Sequence, residues 1–461
     1  MNVSEIFKVK SACVVGASRE KGKVGNVILN NLKKSFKGDL IAVNPSAEEI
    51  EGVKCYPSVD SIPGKVDVAV IALPSTKTID AINALSIKGC KFCIPVAGGF
   101  GEQGESGKKM EEYMKSIASK SGMRIIGPNT VGIIIPRIGL NTALTSEEKS
   151  EFPNRGNIGF ISQSGALGLL TMDEFTDLGI GFSAFFSLGN EADVEEAEVI
   201  EALGSDPETR SIAIYLERIS DVSSFLERCR EVSRIKGIVA IKGGRTEAGN
   251  RATSLHTGSI MKTGFSITSI FRQYGIIEAN NEIELLDFAS ALALSRPITG
   301  KRIAVVTSAG GVGVIASDLL EKYGFMVNKP SDELVREIRK NISQIGSPFN
   351  PIDMTAEATN EEYEAVISSI GNSNEYDGIL AFVLFQTFGV TEGIINFLSK
   401  YVKEGKVPIV VGTIGGKYSR EMTRRLLASG VPTYPTIQRS VSALAALAER
   451  GRYLRRFNNG N

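Results

Sequence analysis

Short apolar runs rich in Val, Ile and Phe alternate with amphipathic stretches along the whole chain, and the runs stop at Gly, Pro, Ser or Asn. This rhythm constrains the fold more than any other feature. A run of roughly four to eight such residues suits a strand covered on both faces, and the helical stretch that follows supplies the cover. Repeated strand–helix units wind into parallel sheets. In an open sheet of that kind, ligands gather at the carboxyl ends of the strands.

At roughly 150 residues per domain, 461 residues correspond to about three modules. In the first, the pattern predicts strands at 12–16, 40–43, 66–73, 92–97 and 124–127, with helices at 25–36 and 106–121. Their ends run into Gly16-Ala17-Ser18, Asn44-Pro45, Pro74-Ser75, Gly98-Gly99 and Pro128-Asn129, the layout of a nucleotide-type binding domain. The polar stretch Thr145-Ser-Glu-Glu-Lys-Ser-Glu151 and the pair Arg296-Pro297 mark the joints, giving modules 1–144, 145–296 and 297–461. The second has strands at 158–162, 181–188, 211–217 and 238–242; the third at 303–307, 378–385 and 409–411. Ile158-Gly-Phe-Ile-Ser-Gln-Ser-Gly-Ala-Leu-Gly168 aligns without a gap on Ile303-Ala-Val-Val-Thr-Ser-Ala-Gly-Gly-Val-Gly313. Two flavodoxin-like modules from a duplication account for this most simply, although any strand–Gly–helix junction looks similar.

Composition removes several classes of function. Lys plus Arg and Asp plus Glu both number 52, so no global charge draws the chain to nucleic acid or an anionic membrane; local patches stay open. No apolar run approaches the ~18 residues of a spanning helix, and the start lacks a secretory signal. Five scattered cysteines suit a reducing cytoplasm. Cys90-x-x-Cys93 has no second pair and no neighbouring histidine, so no metal site is expected. The sole histidine, His256, excludes a two-histidine relay within the chain.

Three segments carry chemistry. Gly16-Ala-Ser-Arg-Glu-Lys-Gly-Lys-Val-Gly25 is a long basic turn opening a helix, where backbone N–H groups can hold phosphate. The same turn would serve a dinucleotide or merely close a strand–helix unit. In Ser162-Gln-Ser164-Gly165-Ala-Leu-Gly168, two hydroxyls and the amides of a helix start converge on a place for an anion. The stretch from Lys242 to Ser259 leaves a strand end and is small and polar around His256, unlike the surroundings of a core histidine. Gly412 to Ser419 fails the spacing of a phosphate loop.

The order Gly127-Pro-Asn129, Ser162-Gln-Ser-Gly165, Ser187-Leu-Gly-Asn190-Glu-Ala-Asp193, Tyr215-Leu-Glu217 and Lys242-Gly-Gly-Arg245…Ser254-Leu-His256-Thr-Gly258 resembles the alpha subunits of ADP-forming acetyl-CoA synthetases, in the succinyl-CoA synthetase superfamily. The resemblance spans essentially the whole chain. It implies an α/β fold: a Rossmann-like CoA-binding domain followed by two flavodoxin-like parallel-sheet domains. It implies the reaction acyl-CoA + ADP + phosphate ⇌ carboxylic acid + ATP + CoA, with His256 phosphorylated in passing and Glu217 as its carboxylate partner. Phosphate would lie against Ser162, Ser164, Gly165 and Gly258. Coenzyme A would lie across Gly16, Ser18, Arg19, Val24, Gly25, Asn44, Pro45, Pro74, Ser75, Gly98 and Asn129, the last near the thioester.

The resemblance also implies a separate ATP-grasp beta subunit carrying Mg²⁺ and ADP or ATP, in an alpha2beta2 assembly. A dead-histidine CoA-binding regulator and an NAD-dependent dehydrogenase are the competing readings. The first would bind CoA without phosphoryl transfer; the second lacks a histidine to spare for hydride chemistry.

Overall fold

The computed structural model of the chain describes residues 1–146, 148–249, 251 and 267–459. Contacts divide it into two compact units, Met1–Thr176 with Gly181–Ile270, and Asp177–Ile180 with Phe271–Asn461.

The first unit holds two sheets. In the first, the strands run in spatial order Glu49–Ile50, Val53–Tyr56, Asp39–Val43, Ser11–Val15, Val68–Ile71, Phe92–Pro95 and Arg124–Ile125. Apart from the antiparallel edge pair Glu49–Ile50 and Val53–Tyr56, neighbours are parallel. This is the Rossmann order, with the strand sequence reversing on either side of Ser11–Val15. The apolar runs behave as expected of a doubly covered sheet: all four residues of Val68–Ile71 and of Phe92–Pro95 are buried. The strands at the topological switch end where Gly16, Asn44 and Pro74 begin the connections.

In this unit the second sheet runs Gly237–Lys242, Ser211–Leu216, Arg155–Ser162, Phe182–Ser187, Ile133–Ile135 and Leu140–Asn141. The residue pattern predicts that the first module extends to residue 144. Instead, Ile133–Ile135 pairs antiparallel with Phe182–Ser187, setting Ile134 opposite Phe185 and Ile133 opposite Phe186. Three consecutive buried isoleucines cover an edge that would otherwise offer unpaired backbone groups.

The second unit is built on a parallel sheet in the order Ile352–Asp353, Ile303–Thr307, Gly378–Phe382, Ile409–Gly412 and Thr433–Tyr434, a flavodoxin-like arrangement. Helix Glu282–Leu294, assigned from sequence to the middle module, packs here against helix Ile437–Asn459. Asp287, 2% exposed, explains the choice: Arg439 grips both its oxygens at 2.7 and 2.8 Å, and only this helix supplies that arginine. A buried carboxylate without such a partner would be costly.

The two aligned sequence segments form the same local structure, each within its own unit. A strand ends at Ser162 or Thr307, and a helix begins three residues later at Gly165 or Gly310. In both turns the hydroxyl donates to the carbonyl two residues on, Ser162 Oγ to Ser164 at 2.6 Å and Thr307 Oγ1 to Ala309 at 3.2 Å.

Close approach, rather than flexibility, fixes the glycine at 25. A Cβ there would lie 2.0 Å from the Gly16 carbonyl oxygen, so helix Val24–Ser35 can press onto the first turn only without one. Gly25→Ala should therefore cost roughly 1–3 kcal/mol, read as a lower urea midpoint; an unchanged midpoint would contradict this packing.

Candidate active site

Gln163 stands between the two serines at the end of strand Arg155–Ser162 and is 7% exposed. Its carbonyl oxygen accepts from the backbone amides of Glu217 at 2.6 Å and Arg218 at 2.9 Å. Its amide nitrogen donates to both Glu191 oxygens, at 3.0 and 3.1 Å, and to the Arg218 carbonyl at 2.9 Å. One side chain thus ties the Ser164 turn to the residues after strand Ser211–Leu216. The strand pairing demands this neighbourhood, since Ser162 lies opposite Tyr215.

Glu217 is nearly buried, and the Tyr215 hydroxyl donates to its Oε1 at 3.4 Å. Burial, reinforced by the Glu217 charge, pushes Tyr215 up to about 12. Lys242, at the end of the adjacent strand, donates to the carbonyls of Glu217 at 2.7 Å and Gly243 at 2.5 Å. Burial lowers the Lys242 pKa, and the Glu217 charge opposes that shift. The stretch carrying His256 leaves the sheet from this lysine. His256 and Gly258 themselves lie outside the described residues.

Glu191 is buried in a left-handed conformation, with φ at 54°. Burial raises its pKa, against the charge of Arg218, whose Nε lies 3.4 Å from Glu191 Oε2. Burial together with the Glu191 charge pushes Glu196 up to about 9.

Of these groups, Gln163, Glu217 and Arg218 form one side of a cleft of about 250 Å³. Ser164, Gly165 and Ala166 contribute the helix start, whose first amides have no intrahelical acceptor. Lys108 and Arg218 bring positive charge, while Asn129, Asn190, Glu102 and Glu111 close the other side. Asn190 Nδ2 donates to Glu102 at 2.5 Å and to Glu111 at 2.7 Å, and its Oδ1 accepts from Asn129 at 3.2 Å. Burial pushes Glu102 up, but the hydrogen bonds from the Gly99 amide and Asn190 outweigh it and hold the carboxyl below its usual range. The free amides of the helix start with Lys108 and Arg218 suit a tetrahedral anion, in a cleft that three carboxylates, Glu102, Glu111 and Glu217, also line.

Ser164, Gly165, Asn129 and Glu217 of the expected set all line this cleft. Ser162 does not; it is fully buried, and its hydroxyl shapes the turn by bonding to Ser164. The residues expected along coenzyme A form a connected series of strand ends. Asn44 Nδ2 donates to the Ala17 carbonyl at 2.7 Å, fixing the first turn, and the Ser18 hydroxyl accepts from Glu20 N at 3.1 Å. Pro45 follows Asn44 at the surface, and Arg19 and Val24 are exposed beside that turn. Pro74 precedes Ser75, which opens helix Ser75–Ile87 and lies against Gly99. Gly98 sits beside the Asn129 side chain, which leads into the cleft. The sequence reading gave no role to Gln163, Arg218, Lys108, Glu102 or Glu111. A long amide between two serines at a strand end was the available clue for the first.

Three family models match in sequence order: a CoA binding domain over residues 10–136, a succinyl-CoA ligase like flavodoxin domain over 155–292, and a Ligase-CoA domain over 303–456. The chain is 36% identical over 452 residues to the alpha subunit of acetate–CoA ligase [ADP-forming] II of Pyrococcus furiosus, covering 97% of each. The chain belongs to the alpha-subunit family of ADP-forming acetate–CoA ligases. A member in which this part is joined to further chain, acetate–CoA ligase [ADP-forming] I of Archaeoglobus fulgidus, is 33% identical over 451 residues, 98% of this chain and 64% of that one. A solved acetyl-coenzyme A synthetase 1 of Ca. Korarchaeum cryptofilum, in complex with phosphate and ADP, superposes with a TM-score of 0.90 at 35% identity, covering 100% of this chain and 99% of that chain. The expected family and the three-domain α/β architecture stand.

Among the described residues of this ligase subunit, no group of three or more His, Cys, Asp or Glu could hold a metal ion. No described helix is long and apolar enough to cross a membrane.

The raised Glu196 carboxyl makes stability depend on pH in a definite direction. A carboxyl whose pKa is raised by folding binds more protons native than unfolded, so stability falls as pH climbs from the ordinary carboxylate value toward the raised one. Glu196→Gln removes that loss. In thermal melts its stability relative to the parent should improve steadily from about pH 5 to about pH 9; a constant difference would exclude a raised Glu196 carboxyl.

Proposed function

We propose that this alpha subunit carries out the acyl and phosphoryl half-reactions of acyl-CoA + ADP + phosphate ⇌ carboxylic acid + ATP + CoA. The observation that carries the reading is the clamp by Gln163, which holds Glu217 beside the Ser164–Gly165 helix start in one cleft. In this reading coenzyme A lies along the strand ends from Gly16 to Asn129, with its thioester toward the cleft.

Phosphate held at Ser164 and Gly165 attacks the thioester carbonyl. The C–S bond breaks, the thiolate takes a proton, and acyl phosphate remains. Neutral His256 then attacks phosphorus through its unprotonated nitrogen; the P–O bond to the acyl group breaks and the carboxylate leaves. Glu217 accepts from the other ring nitrogen, which fixes the tautomer and stabilises the charge the ring acquires. Finally an ADP oxygen attacks phosphorus, the P–N bond breaks, and ATP and neutral histidine result.

Nucleotide and Mg²⁺ belong, in this reading, to an ATP-grasp beta subunit, in an alpha2beta2 assembly. The longer single-chain relative and the "subunit alpha" in the names of the shorter ones support a second polypeptide. Five free, buried cysteines suit a cytoplasmic setting.

Incubation with acetyl-CoA, phosphate and the beta subunit should give an acid-labile, base-stable phosphate on His256, lost in His256→Asn. Glu217→Gln should lower phosphoenzyme yield at least about tenfold, ~1.4 kcal/mol or more, with CoA affinity nearly unchanged. Full labelling of His256→Asn, or loss of CoA binding with labelling intact in Glu217→Gln, would reverse these assignments.

ATP formation from acetyl-CoA, ADP and phosphate should appear only when the beta subunit is added. ATP produced by the purified chain alone would overturn the division between subunits.

A further inference from the structure

A second cavity, of about 350 Å³, lies wholly within the second unit, among residues of Phe271–Asn461. Its walls carry Arg272, Lys301, Arg450, Arg452 and Arg456 against a single carboxylate, Glu449. In a chain whose charges balance at 52 of each sign, five cations against Glu449, with Glu278 close enough to act on it, still leave an excess of positive charge. The cavity lies at the ends of elements remote from the strand carboxyl ends. Lys301 precedes strand Ile303–Thr307, and Gly324 follows helix Gly310–Lys322.

The backbone around the cavity is fixed. Helix Ile437–Asn459 runs so close to the chain at Ile298 that a Cβ on Gly451 would lie 1.9 Å from the Ile298 carbonyl oxygen. Next to Gly451, Arg450 is 5% exposed, with its guanidinium 5.8 Å from the centre of the Tyr453 ring. Burial pushes Arg450 down to about 10, opposed by Tyr453. Arg272 Nε lies 3.8 Å from Glu449 Oε1, too long for a hydrogen bond, so the one acid is a loose partner for its nearest cation. Arg452, Arg456 and Lys301 stand exposed at the mouth. Ile276 and Ile277, both buried, give the cavity an apolar wall, and Tyr323 is held at its rim by Gln438, which donates to its hydroxyl at 3.0 Å.

We infer that this cavity binds a small organic phosphate bearing a flat ring, of nucleoside monophosphate size, at a site separate from the reaction cleft. Guanidinium groups offer the planar, paired donors that phosphate oxygens accept. Tyrosine and arginine faces together with the isoleucine wall accommodate a ring. A volume of this order holds such a molecule and little more.

The test uses the full chain with CoA present in saturating amount, so that the strand-end site of the first module is filled. Calorimetric titration with AMP should show one site per chain. Adenosine and ribose 5-phosphate, each lacking one half of the expected ligand, should bind at least tenfold more weakly. Arg452→Ala with Arg456→Ala, two exposed changes, should weaken AMP binding at least tenfold while the melting temperature and CoA binding stay unchanged; Arg450→Met should abolish AMP binding. Absence of AMP binding, AMP affinity untouched by the double substitution, or ribose 5-phosphate binding as tightly as AMP would each overturn the assignment. A single-stranded oligonucleotide that displaces AMP at equal nucleotide concentration would overturn it too, by making the patch a nucleic-acid surface.

Discussion

The cleft at Ser164 and Glu217 depends on the carboxamide of Gln163. It uses its oxygen for two backbone amides and its nitrogen for a carboxylate and a carbonyl, so no polar valence is left for substrate. Its role is structural in a strict sense. It converts the parallel pairing of strands Arg155–Ser162 and Ser211–Leu216 into a fixed spacing between a helix start and a buried carboxylate. A buried, fully satisfied polar network of this kind rigidifies its members, whereas a partly satisfied one would be costly. Glu191 completes the set at the expense of a left-handed backbone, an uncommon conformation for a residue with a side chain. The loop that supplies it also supplies Asn190, so the same clamp reaches the far side of the cleft through Glu102 and Glu111.

Much of this was legible in the sequence because the signals are local. Strand Ile303–Thr307 follows from its five apolar and β-branched residues, and the strands that end at Ser162 and at Leu216, just before Glu217, lie within a few residues of their expected limits. Ser164 is legible because it stands where an apolar run stops before a helix, whereas Glu217 enters only through the family resemblance carried by Tyr215-Leu-Glu217. Gln163 was passed over because its partners, at positions 191, 217 and 218, are distant along the chain and no spacing rule connects them. Ser162 misled for a related reason. A hydroxyl at a strand end looks available to a ligand, but here the turn's own carbonyl takes it.

Domain limits were harder to read than elements. Helix Glu282–Leu294 follows the middle module in sequence, and nothing local reveals that Asp287 needs Arg439 from the far end of the chain. Two-residue strands such as Ile352–Asp353 and Thr433–Tyr434 carry too few residues to establish a period, and only pairing to an existing sheet defines them.

The hairpin strands Ile133–Ile135 and Leu140–Asn141 have a bearing on how this chain can be cut or fused. They are contiguous with the nucleotide-type module but shield the flank of its neighbour. Scission in the polar stretch near residue 147, the obvious joint, would strip the neighbour of that shield. The newly bared Phe182–Ser187 strand, rich in phenylalanine, would become an adhesive edge. The two modules are therefore stitched together by backbone and not simply strung in series. Any rearrangement of this gene that keeps both soluble must move the seam upstream of residue 133, or carry them as one piece.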